Sequence, residues 1–238
     1  MELKPEKNLS YGRNGNEKYY IICDNPDICL TAARIYEKLI EAYGEPRWWS
    51  DDPFTVMFQA VLVQNTSWTL VEKVTADIGS DLDPKILADK MPSEIEAMIR
   101  ACGCSRRKAQ TIIDLAIWLS GYGYDIENTR NRSTNELRDE LLGINGIGAE
   151  TADAILVYAL CRPSFIVDAY TRRFLKRLGY MFDNDGQIRS FFEDDLSKDY
   201  RLYGHLHWLI LDHGIQRCQK RPKCNGCVFD GCRERIRT

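Results

Sequence analysis

The sequence predicts an all-α protein of about ten helices. Two observations carry that class. Apolar residues recur at helical spacing along most of the chain, and alternating strand patterns are nearly absent, Ser164–Val167 being short and without an obvious partner. No internal repeat or low-complexity tract interrupts the pattern.

Residues 1–28 are polar and read as irregular. A first helix is expected over Leu30–Tyr43, with Leu30, Ala33, Tyr36, Leu39 and Ile40 on one face and Gly44-Glu45-Pro46 stopping it. Pro53–Leu62 holds no charge and reads as a buried helix. Further helices are expected at Trp68–Ile78, Pro84–Asp89, Pro92–Ala101, Ser105–Ser120, Ser133–Leu142, Ala149–Leu160, Ala169–Leu178, Asp185–Leu196 and Tyr203–His213.

With 238 residues, 44% hydrophobic and 28% charged, the chain suits one compact unit or two small lobes. No stretch approaches the roughly 18–20 apolar residues of a membrane span. The N-terminus lacks the apolar core of a secretory signal, so an intracellular location, cytoplasmic or nucleoid-associated, is expected. A net charge of −3 argues weakly against a nucleic-acid partner, but distribution matters more than the sum. Arg217–Thr238 carries seven Lys/Arg against Asp230 and Glu234, and Arg172, Arg173, Lys176 and Arg177 form a second basic cluster. Such clusters can be ordinary solvated faces, or one specialised surface.

Nine cysteines are many for a chain without a secretory signal. Cys23, Cys29, Cys102, Cys104 and Cys161 are scattered and read mostly as small buried hydrophobes. Cys218, Cys224, Cys227 and Cys232 follow a C-x5-C-x2-C-x4-C pattern that points to metal ligation. A short loop with one Cys-x2-Cys pair suits a cubane iron–sulfur cluster, while structural zinc more often uses two such pairs. Interleaved Arg217, Lys220, Arg221, Lys223 and Arg233 would offset the charge of an anionic cluster and could face a phosphate backbone.

Ser133 and Glu136 form a capping box that opens a helix with Leu137, Leu141 and Leu142 on its apolar face. The turn Gly143–Gly148 follows, then a helix lined by Ala149, Ala152, Ile155, Leu156 and Ala159. Gly146 and Gly148 can take backbone conformations closed to other residues and turn N–H groups outward at a helix start, where a phosphate can bind. An ordinary helical hairpin is the plainer reading. Asp168, at the head of Ala169–Leu178, is well placed as an N-cap. His205, His207 and His213 read as core or surface residues rather than ligands.

In their order along the chain these features resemble the helix-hairpin-helix DNA glycosylases of the endonuclease III type, over roughly Leu30 to Cys232. The matching segments are Ala60–Thr66 ending in Gln64-Asn-Thr, Gly103-x4-Lys108-Ala109, Ile144–Gly148, Ile166-Val-Asp168 and the four cysteines. The resemblance implies two helical lobes with a central cleft: a barrel over 52–162 carrying the hairpin, and an iron–sulfur lobe of 30–51 and 163–238, after an N-terminal extension of 1–29. It implies a [4Fe-4S] cluster on Cys218, Cys224, Cys227 and Cys232. The implied partner is double-stranded DNA with damaged bases, bound by a monomer through Gln64, Gly146, Ile147, Gly148 and Thr151. Gln64 matches the residue that fills the gap left by a flipped base, and Asp168 matches the catalytic aspartate at the lobe junction.

Two departures matter. The family's usual cysteine spacing leaves one more residue in each outer loop. The lysine that forms an imine with the sugar in bifunctional members is replaced by Glu150, which disfavours lyase chemistry and leaves monofunctional hydrolysis for base excision repair. Trp48, Trp49 and Trp68 read either as core or, with Glu150 at the rim, as an electron-rich pocket for a cationic alkylated purine such as 3-methyladenine. That pairing is similar to the endonuclease III-like 3-methyladenine glycosylases. Glycosylases for oxidised pyrimidines or for uracil and thymine mismatches are the alternative, and a non-catalytic iron–sulfur DNA-binding protein is a third reading.

Overall fold

The computed structural model describes residues 8–14, 17–23 and 30–232. The chain divides into two compact units, one of Met1–Arg47 with Phe165–Thr238 and one of Trp48–Ser164. Trp48 and Trp49 therefore fold with the segment that follows them.

In the continuous unit, α2 (Pro53–Leu62) starts where Asp52 accepts from the Thr55 N–H at 2.8 Å and Pro53 occupies the first turn. Its eight residues Phe54 and Val56–Leu62 are buried, as the absence of charge requires. Against it pack α3 (Trp68–Ile78) and α6 (Ser105–Ser120), and α4 (Pro84–Asp89) and α5 (Pro92–Ile99) pack in turn on α6. The expected capping box opens α7 (Thr134–Leu142), with Ser133 and Glu136 satisfying each other's backbone N–H.

The next helix departs from expectation. Only Ala149–Ala154 (α8) is α-helical, and Ile155–Ala159 winds as a π-turn. The Leu160 N–H reaches back to the Ile155 carbonyl at 3.0 Å and that of Arg162 to Leu156 at 2.7 Å, while Cys161 takes a left-handed φ of 54°. Such a turn accommodates an extra residue without breaking the helix.

Lys108 on α6 is buried, 2% exposed, and fully used. Its ammonium donates to the Leu62 carbonyl (2.8 Å), the Cys102 carbonyl (2.9 Å) and Thr66 Oγ1 (2.7 Å). It thereby satisfies a carbonyl left open at the end of α2. Burial pushes its pKa down, partly offset by Cys102 and Cys104.

In the discontinuous unit, α1 (Ala32–Tyr43) packs with α10 (Asp185–Asp195) and α11 (Tyr200–Gln216), and α9 (Ala169–Leu178) packs on α11. Ile35, Leu39, Phe165, Phe174, Phe192 and Leu206 lie in their shared core. Asp195 caps α1 from a distance, accepting from the Ala33 N–H at 2.9 Å. α11 starts three residues earlier than expected because Asp199 caps it, accepting from the Arg201 N–H.

The all-α expectation needs one correction. Asn8–Asn14 (β1) and Glu17–Cys23 (β2) form an antiparallel pair, and Tyr180–Met181 (β3) adds to β2 through Ile22 and Cys23. Among the described residues the protein is mostly helical with one small three-stranded sheet, whereas Ser164–Val167 forms no strand. Among the described residues no helix is long and apolar enough to cross a membrane.

Candidate functional site

The hairpin turn between α7 and α8 is built on Gly146. Its φ of 96° belongs to glycine, and a Cβ there would collide with Thr111 Oγ1. Thr111 approaches because its hydroxyl donates to the Asn145 carbonyl at 2.8 Å. Ile147 is buried beneath the turn, while Gly148, with no side-chain cap, and Glu150 in the first turn of α8 are exposed.

Gln64, beyond the end of α2, meets this hairpin directly. Its Nε2 donates to the Gly146 carbonyl and to Thr151 Oγ1, both at 3.1 Å. The structure thus brings Gln64, Gly146 and Thr151 together, with Thr151 itself 8% exposed.

The three tryptophans also converge. Trp49 meets Trp68 at 5.4 Å between ring centroids and Tyr158 at 5.2 Å, both edge-on, and Trp48 lies 5.0 Å from Tyr158 at a tilt of 57°. Tyr158 comes from the π-turn and is itself buried, 3% exposed, as its place inside an apolar run implies. The Trp49 and Trp68 rings touch edge to face rather than forming parallel walls of a slot.

Asp168 does cap α9. It is 6% exposed, and its Oδ1 accepts from the Thr171 N–H at 2.6 Å. Its Oδ2 faces His207 Nε2 at 3.8 Å, beyond hydrogen-bond range but close enough for charge to matter. Burial opposes ionisation, but His207 and then the Thr171 N–H outweigh it and hold the carboxyl below its ordinary value. His207, buried on α11, is a neighbour that spacing along the chain could not reveal.

Cys218, Cys224, Cys227 and Cys232 line one recess, together with Arg177 and Lys223. Among the described residues no three His, Cys, Asp or Glu converge on a point that one ion could fill. Tetrahedral zinc would draw its sulfurs to about 3.8 Å of one another. A cubane takes each thiolate on a different iron, and so asks for a recess bordered by four cysteines. Arg177 Nη1 donates to Cys218 Sγ at 3.2 Å, a charge-assisted contact suited to a thiolate.

Much of the expected second basic cluster already has partners within the chain. Arg172 pairs with Asp185, Arg173 donates to the Cys218 carbonyl, and Arg177 also holds the Gln219 and Lys220 carbonyls. Lys220, Arg221 and Lys223 remain exposed in the cysteine loop. Cys104 and Cys161 are exposed rather than buried, and the side chains of Cys23 and Cys29 lie outside the described residues.

Residues 58–196 match the HhH-GPD superfamily of base excision DNA repair proteins. The chain belongs to that family. A Methanocaldococcus jannaschii protein assigned as a DNA repair glycosylase is 36% identical over 201 residues, 82% of this chain and 91% of the relative. The solved structure of the H. pylori 3-methyladenine DNA glycosylase bound to 1,N6-ethenoadenine superposes with a TM-score of 0.68 at 27% identity, covering 79% of this chain and 98% of that one. A trapped endonuclease III–DNA intermediate superposes with a TM-score of 0.71 at 24% identity, over 87% and 98% of the two chains, and so shares the fold of this HhH-GPD protein.

Proposed function

We propose that this HhH-GPD protein is a monofunctional DNA N-glycosylase that binds damaged double-stranded DNA and releases a flipped alkylated purine such as 3-methyladenine. The observation that carries the reading is the aromatic set of Trp48, Trp49, Trp68 and Tyr158 in one unit with Glu150, which stands where an imine-forming lysine would be needed. Electron-rich ring faces favour a cationic base, and a cationic base leaves with little acid catalysis. The likeness to a 3-methyladenine glycosylase supports this substrate class.

Asp168 supplies the carboxylate. As the glycosidic bond breaks, its electron pair goes to the departing base and the sugar becomes oxocarbenium-like. A water oxygen then bonds the anomeric carbon, and its proton passes to Asp168 or solvent. The depressed pKa of Asp168 makes it a weak base but a permanent anion, so stabilising the sugar's positive charge is its main contribution. Gln64 would fill the space left in the duplex, and the N–H groups at Gly146–Gly148 would bind a backbone phosphate.

A [4Fe-4S] cluster on Cys218, Cys224, Cys227 and Cys232 would supply a fixed cross-link within its unit rather than a step of hydrolysis. Arg177 and Lys223 beside the recess would offset its charge.

Duplexes carrying single lesions test the reading, with borohydride present to trap any imine. Release of 1,N6-ethenoadenine or 3-methyladenine without a covalent adduct is expected. Release of oxidised pyrimidines or uracil alone would overturn the substrate class, a strong adduct would overturn monofunctional hydrolysis, and binding without release would mark a non-catalytic protein.

A further inference from the structure

The buried amide of Gln59 has no role in the chemistry above, yet its oxygen is directed at one member of the aromatic set and its nitrogen is anchored on Thr75. Gln59 sits in the middle of α2, an otherwise uncharged and buried helix. Its Oε1 accepts from Trp49 Nε1 at 2.7 Å. Its Nε2 donates to Thr75 Oγ1 at 3.2 Å, and that hydroxyl donates in turn to the Val71 carbonyl at 2.8 Å.

The direction of this relay is forced. The Thr75 proton is committed to Val71, so Thr75 can only accept from Gln59, and the amide must present its oxygen to Trp49. A buried amide placed in an apolar helix costs free energy unless it is fully satisfied. Leucine would fill the same space on α2 without that cost. The indole gains a fixed rotation in exchange: pinned at its nitrogen, Trp49 is held at 73° to Trp68 and 69° to Tyr158.

We infer that Gln59 is a positioning residue that sets the rotation of Trp49, and through it the selectivity of the base pocket for alkylated purines. The inference rests on the reading of Trp49 as a pocket residue. An aromatic pocket selects a flat base by the angle and spacing of its walls, so a ring free to rotate loses stacking and cation–π contact together.

The test uses the full-length protein and methylated duplex DNA, following release of 3-methyladenine under single-turnover conditions with enzyme in excess. Gln59→Leu is expected to lower the rate of base release about tenfold, the equivalent of one neutral hydrogen bond. Affinity for undamaged duplex should stay unchanged. Trp49→Phe keeps a ring but removes the indole N–H, so adding Gln59→Leu to it should cost nothing more. Equal loss from Gln59→Leu in both backgrounds would show a general packing role and overturn the inference, as would wild-type release by Gln59→Leu. Should Gln59→Leu not fold, Thr75→Val loosens the amide from one step further out and should act only when Trp49 is present. Trp49→Ala separates the two levels: if it releases the base normally, the pocket reading itself has failed.

Discussion

Replacing Gly146 by alanine strikes the hairpin where two demands coincide. The φ of 96° disfavours any L side chain, at about 1–2 kcal/mol. The added methyl meets Thr111 Oγ1 at a separation no real contact tolerates, and forcing it in costs about 1–3 kcal/mol more. The total, roughly 3 kcal/mol, is a large share of a net stability of about 5–15 kcal/mol. It corresponds to a Tm lower by about 6–12 °C. Thr111→Ala alone should cost about 1 kcal/mol by freeing the Asn145 carbonyl. In the double variant the nearest remaining atom is Thr111 Cβ, at 3.3 Å, so the collision is relieved while the φ penalty stays. Urea unfolding followed by far-UV circular dichroism should therefore show the pair less destabilised than the sum by about 1–2 kcal/mol. Strict additivity, or a Gly146→Ala protein as stable as wild type, would refute the account of why glycine stands there.

Lys108→Met should cost about 1–3 kcal/mol in the same assay, because it strands the buried Leu62 carbonyl, while the Cys102 carbonyl keeps the Thr66 hydroxyl. Asp168→Asn should abolish base release while a mobility-shift assay shows duplex binding retained. The Asp168 carboxyl has a lower pKa folded than unfolded, so its contribution to stability is whole above about pH 4 and is lost as pH falls through its folded value. Wild type should accordingly lose more stability than Asp168→Asn on acidification below about pH 4. Iron and sulfide analysis should return about four irons per chain, falling sharply in Cys224→Ala, and one zinc per chain instead would reject the cluster. Thr151→Val should free Gln64 from one of its two partners, reducing 2-aminopurine fluorescence on base flipping more than duplex affinity.

Features that depend on neighbours along the chain were legible in the sequence. The Ser133–Glu136 box marks a helix start because capping acts over three residues. The glycine at 146 and the aspartate at 168 likewise sit in local geometry that the residue type announces. What escaped depends on contacts across the chain. The π-turn at Ile155–Ala159 looks like an ordinary apolar helix until its hydrogen bonds are traced. His207 reaches Asp168 from another helix, and Tyr158 joins the tryptophans from a position that resembles core. The β1–β2 pair is weakly patterned in sequence, so these segments read as irregular. Arg172, Arg173 and Arg177 misled in the opposite direction, since a run of cations shows its charge but not its internal partners.

The division of the chain has a consequence for its synthesis. Trp48–Ser164 is one uninterrupted stretch, and it can begin to fold as soon as it clears the ribosome. The other unit cannot: α1 is made first, but its partners α10 and α11, and all four clustered cysteines, emerge only after that stretch is complete. Throughout that delay the apolar face of α1, with Ile35 and Leu39, has no native cover, so nascent chains paused between Ser164 and Cys232 should be the form of this protein most in need of a chaperone.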